Sequence, residues 1–135
     1  MEIKQPIIDY FSNREDILSV YLFGSIVSGK ADKKSDVDIA VFLRKDVRKE
    51  DYAEKIILMT DELSRILDKE IDIVVLNNAS TFLKFQIIKN GVRLLECERI
   101  DNRRFEASAI IEYLDFLPIR RKMEESLINY IKKGA

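Results

Sequence analysis

The sequence predicts a small α/β (or α+β) domain, in which a mixed β-sheet is flanked by helices and followed by C-terminal helices. Short runs rich in Val, Ile and aromatic residues alternate with segments whose apolar residues recur at helical spacing. The chain has 135 residues and is 47% hydrophobic, which suffices for one domain with its own core. We expect a single domain over 1–135, with a core at about 14–98 and a helical extension at about 102–133.

The N-terminal half alternates between helix and strand. Helical spacing of apolar residues predicts a short helix at 6–13. A β-branched and aromatic run predicts a first strand at 18–23, ending at Gly24. A second strand is expected at 37–43, and a long helix follows at 51–67.

The C-terminal half continues with a third strand at 71–76 and a helix at 80–90, which ends at Gly91 as a C′ glycine. A fourth strand at 92–97 is expected at the edge of the sheet. From residue 102 onward the pattern is helical, with a break at Pro118, where proline would begin a new helix.

The composition excludes several classes of function. The 23 basic and 24 acidic residues nearly cancel, which argues against a broad nucleic-acid surface, so no DNA partner is expected. The absence of histidine removes Ser-His-Asp and Cys-His mechanisms and most zinc sites. A single cysteine fits a reducing compartment, and no apolar run is long enough to span a membrane. We therefore expect a cytoplasmic protein.

Three aspartates and a Gly-Ser pair carry the predicted chemistry. Asp36 and Asp38 begin the second strand and, two residues apart, project from the same face. Asp72 lies near the start of the third strand, which the intervening long helix makes parallel to the second. Gly24 and Ser25, at the end of the first strand, join these carboxylates only if that strand runs antiparallel to the second. The clustered carboxylates predict a Mg²⁺ or Mn²⁺ site.

A phosphate site is expected beside the carboxylates. Gly24-Ser25 opens a short helix and offers N–H groups and a hydroxyl to an anion. Lys30, Lys33 and Lys34, in the connection to the second strand, could neutralise polyphosphate charge. Two metal ions held by three aspartates next to an anion site are typical of phosphoryl or nucleotidyl transfer.

This pattern resembles the signature of the DNA polymerase β-type nucleotidyltransferase superfamily. The resemblance rests on Gly24-Ser25, ten further residues, Asp36-Val37-Asp38 and, later, Asp72, and its strong part covers 18–76. The short chain is similar to the minimal nucleotidyltransferases (MNT), many of which are antitoxins paired with HEPN-type ribonuclease toxins. The segments 103–106 and 113–116 resemble the antitoxin subgroup less specifically.

The resemblance implies a polymerase β-like fold, two Mg²⁺ ions and ATP as substrate. Gly24 and Ser25 would hold the β- and γ-phosphates, and Asp36 and Asp38 would bridge the two metal ions. Asp72 would bind the metal ion that activates the acceptor hydroxyl and would help to remove its proton. The acceptor would be a tyrosine of a partner HEPN-type toxin, which receives AMP and is silenced.

One departure from the family pattern affects the phosphate site. Relatives commonly carry arginines where this chain has Ile26 and Ser28. Lys30, or the pair of Lys33 and Lys34, could substitute for them, although lysine lacks the forked geometry of arginine.

Two alternatives remain open at this stage. The chain could transfer a nucleotide to a small-molecule alcohol, although such enzymes usually carry a second domain for the acceptor. It could instead be a non-catalytic antitoxin that neutralises its toxin by binding, which the missing arginines favour and the complete aspartate set disfavours.

The C-terminal helices are the expected docking surface for a partner protein. They combine surplus apolar residues with four arginines, namely Arg103, Arg104, Arg120 and Arg121. Helices must bury one apolar face, so only the surplus is available to another chain.

Overall fold

The computed structural model describes residues 2–29 and 36–134 and contains one four-stranded sheet with five α-helices in those residues. The strands are β1 (Ile17–Phe23), β2 (Val37–Leu43), β3 (Ile71–Val75) and β4 (Val92–Glu96). The helices are α1 (Lys4–Ser12), α2 (Ser25–Ser28), α3 (Tyr52–Leu67), α4 (Thr81–Asn90) and α5 (Arg99–Gly134). Each of the predicted strands is present within one residue of its expected bounds.

The sheet has the order β3-β2-β1-β4 and is mixed, as predicted. β1 is antiparallel to β2 and to β4, whereas β2 and β3 are parallel and are connected through α3. The C-terminal end of β1 therefore lies beside the N-terminal ends of β2 and β3. We call this end of the sheet the carboxylate edge and the other end the opposite edge.

Helices cover both faces of the sheet. On one face α1 and α3 contribute buried residues such as Phe11, Met59 and Leu63, which pack against Ile39 and other alternate residues of the strands. This face is the main core, because alternate strand residues point to the same side. On the other face α4 and α5 pack over a smaller cluster: Leu18, Tyr21, Ala40, Phe42, Leu76 and Ile87, with Phe105 against it.

Pro118 does not break the C-terminal helix, so the predicted interruption is wrong. α5 continues from Arg99 to Gly134 with Pro118 inside it. Proline removes one N–H donor and crowds the carbonyl of residue i−4, here Leu114. Because Pro118 and Leu114 are both exposed, that carbonyl can turn towards water, and the helix tolerates the proline.

Gly91 also differs from its predicted role. It follows α4 with φ −78° and ψ 171°, an extended conformation and not that of a left-handed C′ glycine. A Cβ at this position would lie 2.5 Å from the carbonyl oxygen of Ile87 and 3.1 Å from that of Leu22. Close backbone approach between α4 and β1 is therefore what requires glycine here.

No helix in the described residues is both long enough and apolar enough to span a membrane.

Candidate active site

The carboxylate edge brings together the aspartates that the sequence singled out. Asp38 pairs across the sheet with Phe23 of β1 on one side and with Asp72 of β3 on the other. Paired residues point to the same face, so the side chains of Asp38 and Asp72 lie on the face that α4 and α5 cover. Asp36 immediately precedes β2, whose first N–H, that of Val37, donates to the carbonyl of Glu70 (2.9 Å).

Among the described residues, the charges that act on Asp38 at the carboxylate edge are negative. Asp38 is half-buried, and its pKa is raised, first by burial and then by the negative charges of Asp72 and Asp36. Asp36 and Asp72 are exposed. None of the three forms a salt bridge with another residue in the described ranges. The three carboxylates influence one another, and a cation would relieve their repulsion.

Gly24 fits against Asp38 in a way that no other residue could. It lies at the end of β1 with φ +80° and ψ −153°, and it precedes α2 directly. A Cβ at this position would lie 2.0 Å from Oδ2 of Asp38. The backbone at Gly24-Ser25 therefore lies directly against the Asp38 carboxylate. The sequence predicts this contact if β1 runs antiparallel to β2, as it does.

Within 2–29 and 36–134, no three Asp, Glu, His or Cys side chains are gathered as a formed metal site. The donor set at the carboxylate edge is nevertheless the one that Mg²⁺ prefers, namely carboxylate oxygens on adjacent strands. Metal binding by Asp36, Asp38 and Asp72 stays a prediction.

Sequence reasoning missed a cleft beside the carboxylate edge. It has a volume of about 590 Å³, lies between α2 and α4, and shares Phe23 and Gly24 with the carboxylate edge. Its walls are largely apolar, and Gln86 and Asn90 of α4 supply its amide groups. The Nδ2 of Asn90 donates to Oε1 of Gln86 (2.9 Å), which orients both amides. No sequence motif marks these two residues, because only the packing of α4 places them near Gly24.

The other residues that the sequence analysis discussed for the phosphate site lie in α2 or outside the described residues. Lys30, Lys33 and Lys34 lie outside the described residues. Ile26 and Ser28 belong to α2, where Ile26 packs towards the main core and Ser28 is exposed. Neither residue offers the cationic group that the family usually has at these positions.

The four C-terminal arginines do not form one surface. Arg103 is held by Glu106 (2.8 Å) and Glu96 (3.2 Å), so it ties α5 to β4. Arg120 pairs with Glu124 (3.1 Å) and lies over the ring of Phe82 at 5.7 Å. Arg104 and Arg121 are exposed.

Comparison with protein families gives a match over most of the chain. The family described as "Polymerase beta, Nucleotidyltransferase" matches residues 5–100, which include the carboxylate edge. This chain belongs to the polymerase β nucleotidyltransferase family. The mixed sheet and its covering helices are the polymerase β-like fold that the sequence predicted, and the family resemblance is confirmed.

One similar nucleotidyltransferase is a curated protein, the protein adenylyltransferase MntA of Shewanella oneidensis. It is 32% identical over 97 residues, an alignment that covers 70% of this chain and 64% of MntA. The chain thus matches slightly less than two thirds of the length of that relative.

Solved structures with the same nucleotidyltransferase fold come from toxin–antitoxin complexes. One is a toxin–antitoxin with AMP-PNP, which is 26% identical with a TM-score of 0.76. The alignment covers 94% of this chain and 99% of the matched chain. Another is the complex of a tri-AMPylated Shewanella oneidensis HEPN toxin with an MNT antitoxin. It is 25% identical with a TM-score of 0.69 and covers 93% of this chain and 95% of its own.

Proposed function

We propose that this chain transfers AMP from ATP to a hydroxyl, a tyrosine hydroxyl by preference, of a partner HEPN-type toxin and so acts as its antitoxin. The observation that carries this proposal is the carboxylate edge, where Asp38 lies beside Asp72 and directly beneath Gly24. Support comes from relatives: MntA is a protein adenylyltransferase, and a structure with this fold contains an AMPylated HEPN toxin.

The proposed reaction is a single displacement at the α-phosphorus of ATP. The acceptor oxygen forms a bond to the α-phosphorus, and the bond from that phosphorus to the β-phosphate oxygen breaks. Pyrophosphate leaves, and the hydroxyl proton passes to the Asp72 carboxylate and from there to water. Mg²⁺ held by Asp36, Asp38 and Asp72 would supply charge neutralisation at the phosphates.

The chain's own residues position the substrates. In this proposal Gly24 and Ser25 hold the β- and γ-phosphates through N–H groups and the Ser25 hydroxyl at the start of α2, and the missing Cβ at residue 24 leaves room for the Asp38 carboxylate beside them. Asp36 and Asp38 would, in this proposal, act at the α-phosphate through the Mg²⁺ that they would hold, and Asp72 would accept the proton of the acceptor hydroxyl. In this proposal Lys30 and Lys33 contribute positive charge to the polyphosphate.

The cleft between α2 and α4 suits the nucleoside. It adjoins the carboxylate edge through Phe23 and Gly24 and is large enough for an adenosine. Its apolar walls would contact the base, and the amides of Gln86 and Asn90 would hydrogen-bond to it. Asn and Gln side chains present a donor and an acceptor that match the edge of adenine.

The test is AMP transfer to the HEPN-type toxin encoded with this chain, measured by the intact mass of the toxin. With Mg²⁺ and ATP, we expect the toxin to gain mass in steps of one AMP and to lose ribonuclease activity. A chain that silences the toxin without any gain in mass would be a non-catalytic antitoxin. Transfer to small alcohols but not to the toxin would favour the small-molecule alternative.

A further inference from the structure

α5 consists of two halves with different surroundings. Up to Leu117 it packs on the sheet and on α4, with Asn102 and Ala109 buried and Tyr113 stacked on Phe85 at 4.1 Å. From Pro118 to Gly134 every residue is exposed. At 1.5 Å per residue, this distal half extends the helix by about 25 Å.

The distal half presents an apolar groove. Phe116, Ile119, Met123 and Leu127 follow one another at spacings of three and four residues, so they form one stripe along α5. With Phe82 of α4 they line an open groove of about 940 Å³, which we call the distal groove. Its side chains are 38–63% exposed, far more than the same residue types in the two core clusters.

An uncovered helix of this kind is poorly stable in water. Proteins stabilise helices mainly by packing an apolar face, and every residue of the distal half is exposed. Pro118 weakens this helix further, because it removes a backbone hydrogen bond where the distal half begins. A continuous apolar stripe of this length marks a surface that another molecule covers.

The charge of the distal half indicates what covers it. Residues 118–134 carry five basic and two acidic residues, a net charge of +3, whereas the whole chain has −1. Two copies that packed through their distal halves would bring these positive charges together. An acidic partner would instead be attracted, and the spacing of the stripe fits a helix packed alongside.

We propose that the distal groove docks a helical face of the acceptor protein, apolar at its centre and acidic at its flanks. This proposal rests on the proposed function, because the docked protein is the one that receives AMP. The similar chain in the toxin–antitoxin complex with AMP-PNP aligns with 94% of this chain, an alignment that must include most of α5. Docking holds the acceptor hydroxyl at a high effective concentration near the carboxylate edge.

The first test compares two double variants, each of which replaces two exposed apolar side chains with glutamate. Met123→Glu with Leu127→Glu places acid in the distal groove, and Leu58→Glu with Ile66→Glu places it on the outer surface of α3. The replaced side chains are 63% and 58% exposed in the groove and 53% and 54% exposed on α3. We expect the groove variant to bind the HEPN-type toxin about 100-fold more weakly and the α3 variant to bind within about threefold of the original.

A second test uses charge alone. Lys122→Glu with Lys133→Glu leaves the apolar stripe intact and reverses two exposed charges that flank it on one side of the helix. We expect slower association with the toxin and a flatter dependence of the association rate on salt. An association rate equal to that of the original chain would overturn the assignment of an acidic partner.

Amide hydrogen exchange, in the free chain and in the complex, and the molar mass of the free chain provide a third test. Amides of 118–133 should exchange fast in the free chain and become protected in the complex with the toxin. Unchanged exchange there in a formed complex would contradict the proposal. So would a dimer of the free chain that Leu127→Glu dissociates, because the groove would then bind a second copy.

Failure of the docking surface and failure of the proposed function give different results. If the original chain adds AMP to the toxin and the groove variant does so at the same rate, docking fails and the activity stands. If the toxin binds through the distal groove and never gains AMP, the activity fails and docking stands.

Discussion

The two ends of the sheet use the same residue type in opposite ways. At the opposite edge, Asp16 precedes β1 and accepts from Arg14 (3.0 Å) and Lys55 (2.8 Å). At the carboxylate edge, Asp38 faces Asp72 and has no cationic partner among the described residues. The Asp16 carboxylate thus ties the connection between α1 and β1 to α3, whereas the nearest charges that act on Asp38 among the described residues are negative.

The pKa of Asp16 is lowered, whereas the pKa of Asp38 is raised. Burial alone would raise the pKa of Asp16, but hydrogen bonds from Arg14 and Lys55 outweigh burial, and the pKa is lowered. Burial also raises the pKa of Asp38, and there its charged neighbours raise it further. Perturbed carboxyl groups cluster at functional sites, so the contrast supports the proposed active site at the carboxylate edge.

Removing the carboxylates of the carboxylate edge should have the largest effect on activity. Asp36→Asn with Asp38→Asn keeps the shape of the side chains and removes two ligand charges, so we expect AMP transfer to fall by at least about 10³-fold. The melting temperature should stay equal or rise, since repulsion is relieved. Asp46→Asn with Asp115→Asn, at two exposed positions elsewhere, is the control and should retain activity. Equal loss in both variants would contradict the assignment.

Gly24→Ala should have the next largest effect, through geometry alone. Both Gly24 (φ +80°) and Gly29 (φ +79°) have left-handed φ, but an added Cβ overlaps Asp38 at Gly24 and meets nothing within 4 Å at Gly29. We expect Gly24→Ala to reduce transfer about 10²-fold, as expected of a misplaced catalytic group. Gly29→Ala also places a Cβ at a left-handed φ, with less backbone strain because ψ is 7° there and −153° at Gly24, and without the overlap, so it serves as the control. Comparable kinetics for the two variants would show that the close approach has no catalytic role.

Mg²⁺ with ATP should stabilise the chain through the carboxylate edge. A ligand at about 100 times its Kd adds about 2.7 kcal/mol to the free energy of unfolding. For a domain of this size, that corresponds to about 8 °C in melting temperature. EDTA or the Asp36→Asn/Asp38→Asn variant should abolish the shift, which differential scanning fluorimetry measures. A shift that survives in this variant would place the ligand elsewhere.

Asp16→Asn should have the smallest effect, and one confined to stability. Loss of the two charged hydrogen bonds should lower the free energy of unfolding by about 1–3 kcal/mol at neutral pH. The folded-state pKa of Asp16 lies below its unfolded value, so this contribution is complete above about pH 4 and is lost as the pH falls through the folded pKa. Urea unfolding of the original chain and of the Asp16→Asn variant, at pH 7 and in acid, tests this direction of the pH dependence. A difference between the two proteins that grows in acid would be inconsistent with it.

The sequence predicted the topology of the sheet well because the assumption that Gly24 and the three aspartates meet allows only one arrangement of the strands. Asp36, Asp38 and Asp72 meet Gly24 only if β1 runs antiparallel to β2 and β2 runs parallel to β3, and the structure has this topology. The alternation of apolar and polar residues predicted which face of β3 is buried, since Ile71 and Ile73 are buried and Asp72 between them is exposed.

Features that depend on solvent or on distant packing were not predictable. Pro118 is a strong helix breaker in sequence terms, but exposure of its helix allows it to stay within α5. Gly91 follows a helix, but its backbone is extended, and glycine is required because the carbonyls of Ile87 and of Leu22, the latter far away in sequence, both lie close to it. The amides of Gln86 and Asn90 line the cleft beside Gly24 only through the orientation of α4.

The central claim is that the carboxylate edge catalyses attack at the α-phosphorus of ATP. The most direct measurement compares α-labelled with γ-labelled ATP in transfer to the HEPN-type toxin in the presence of Mg²⁺. We predict that the toxin acquires the α-label, that the γ-label appears in pyrophosphate, and that Asp36→Asn with Asp38→Asn abolishes both. Acquisition of the γ-label by the toxin would mean phosphoryl transfer, and α-label transfer that persists in this variant would mean a different catalytic site.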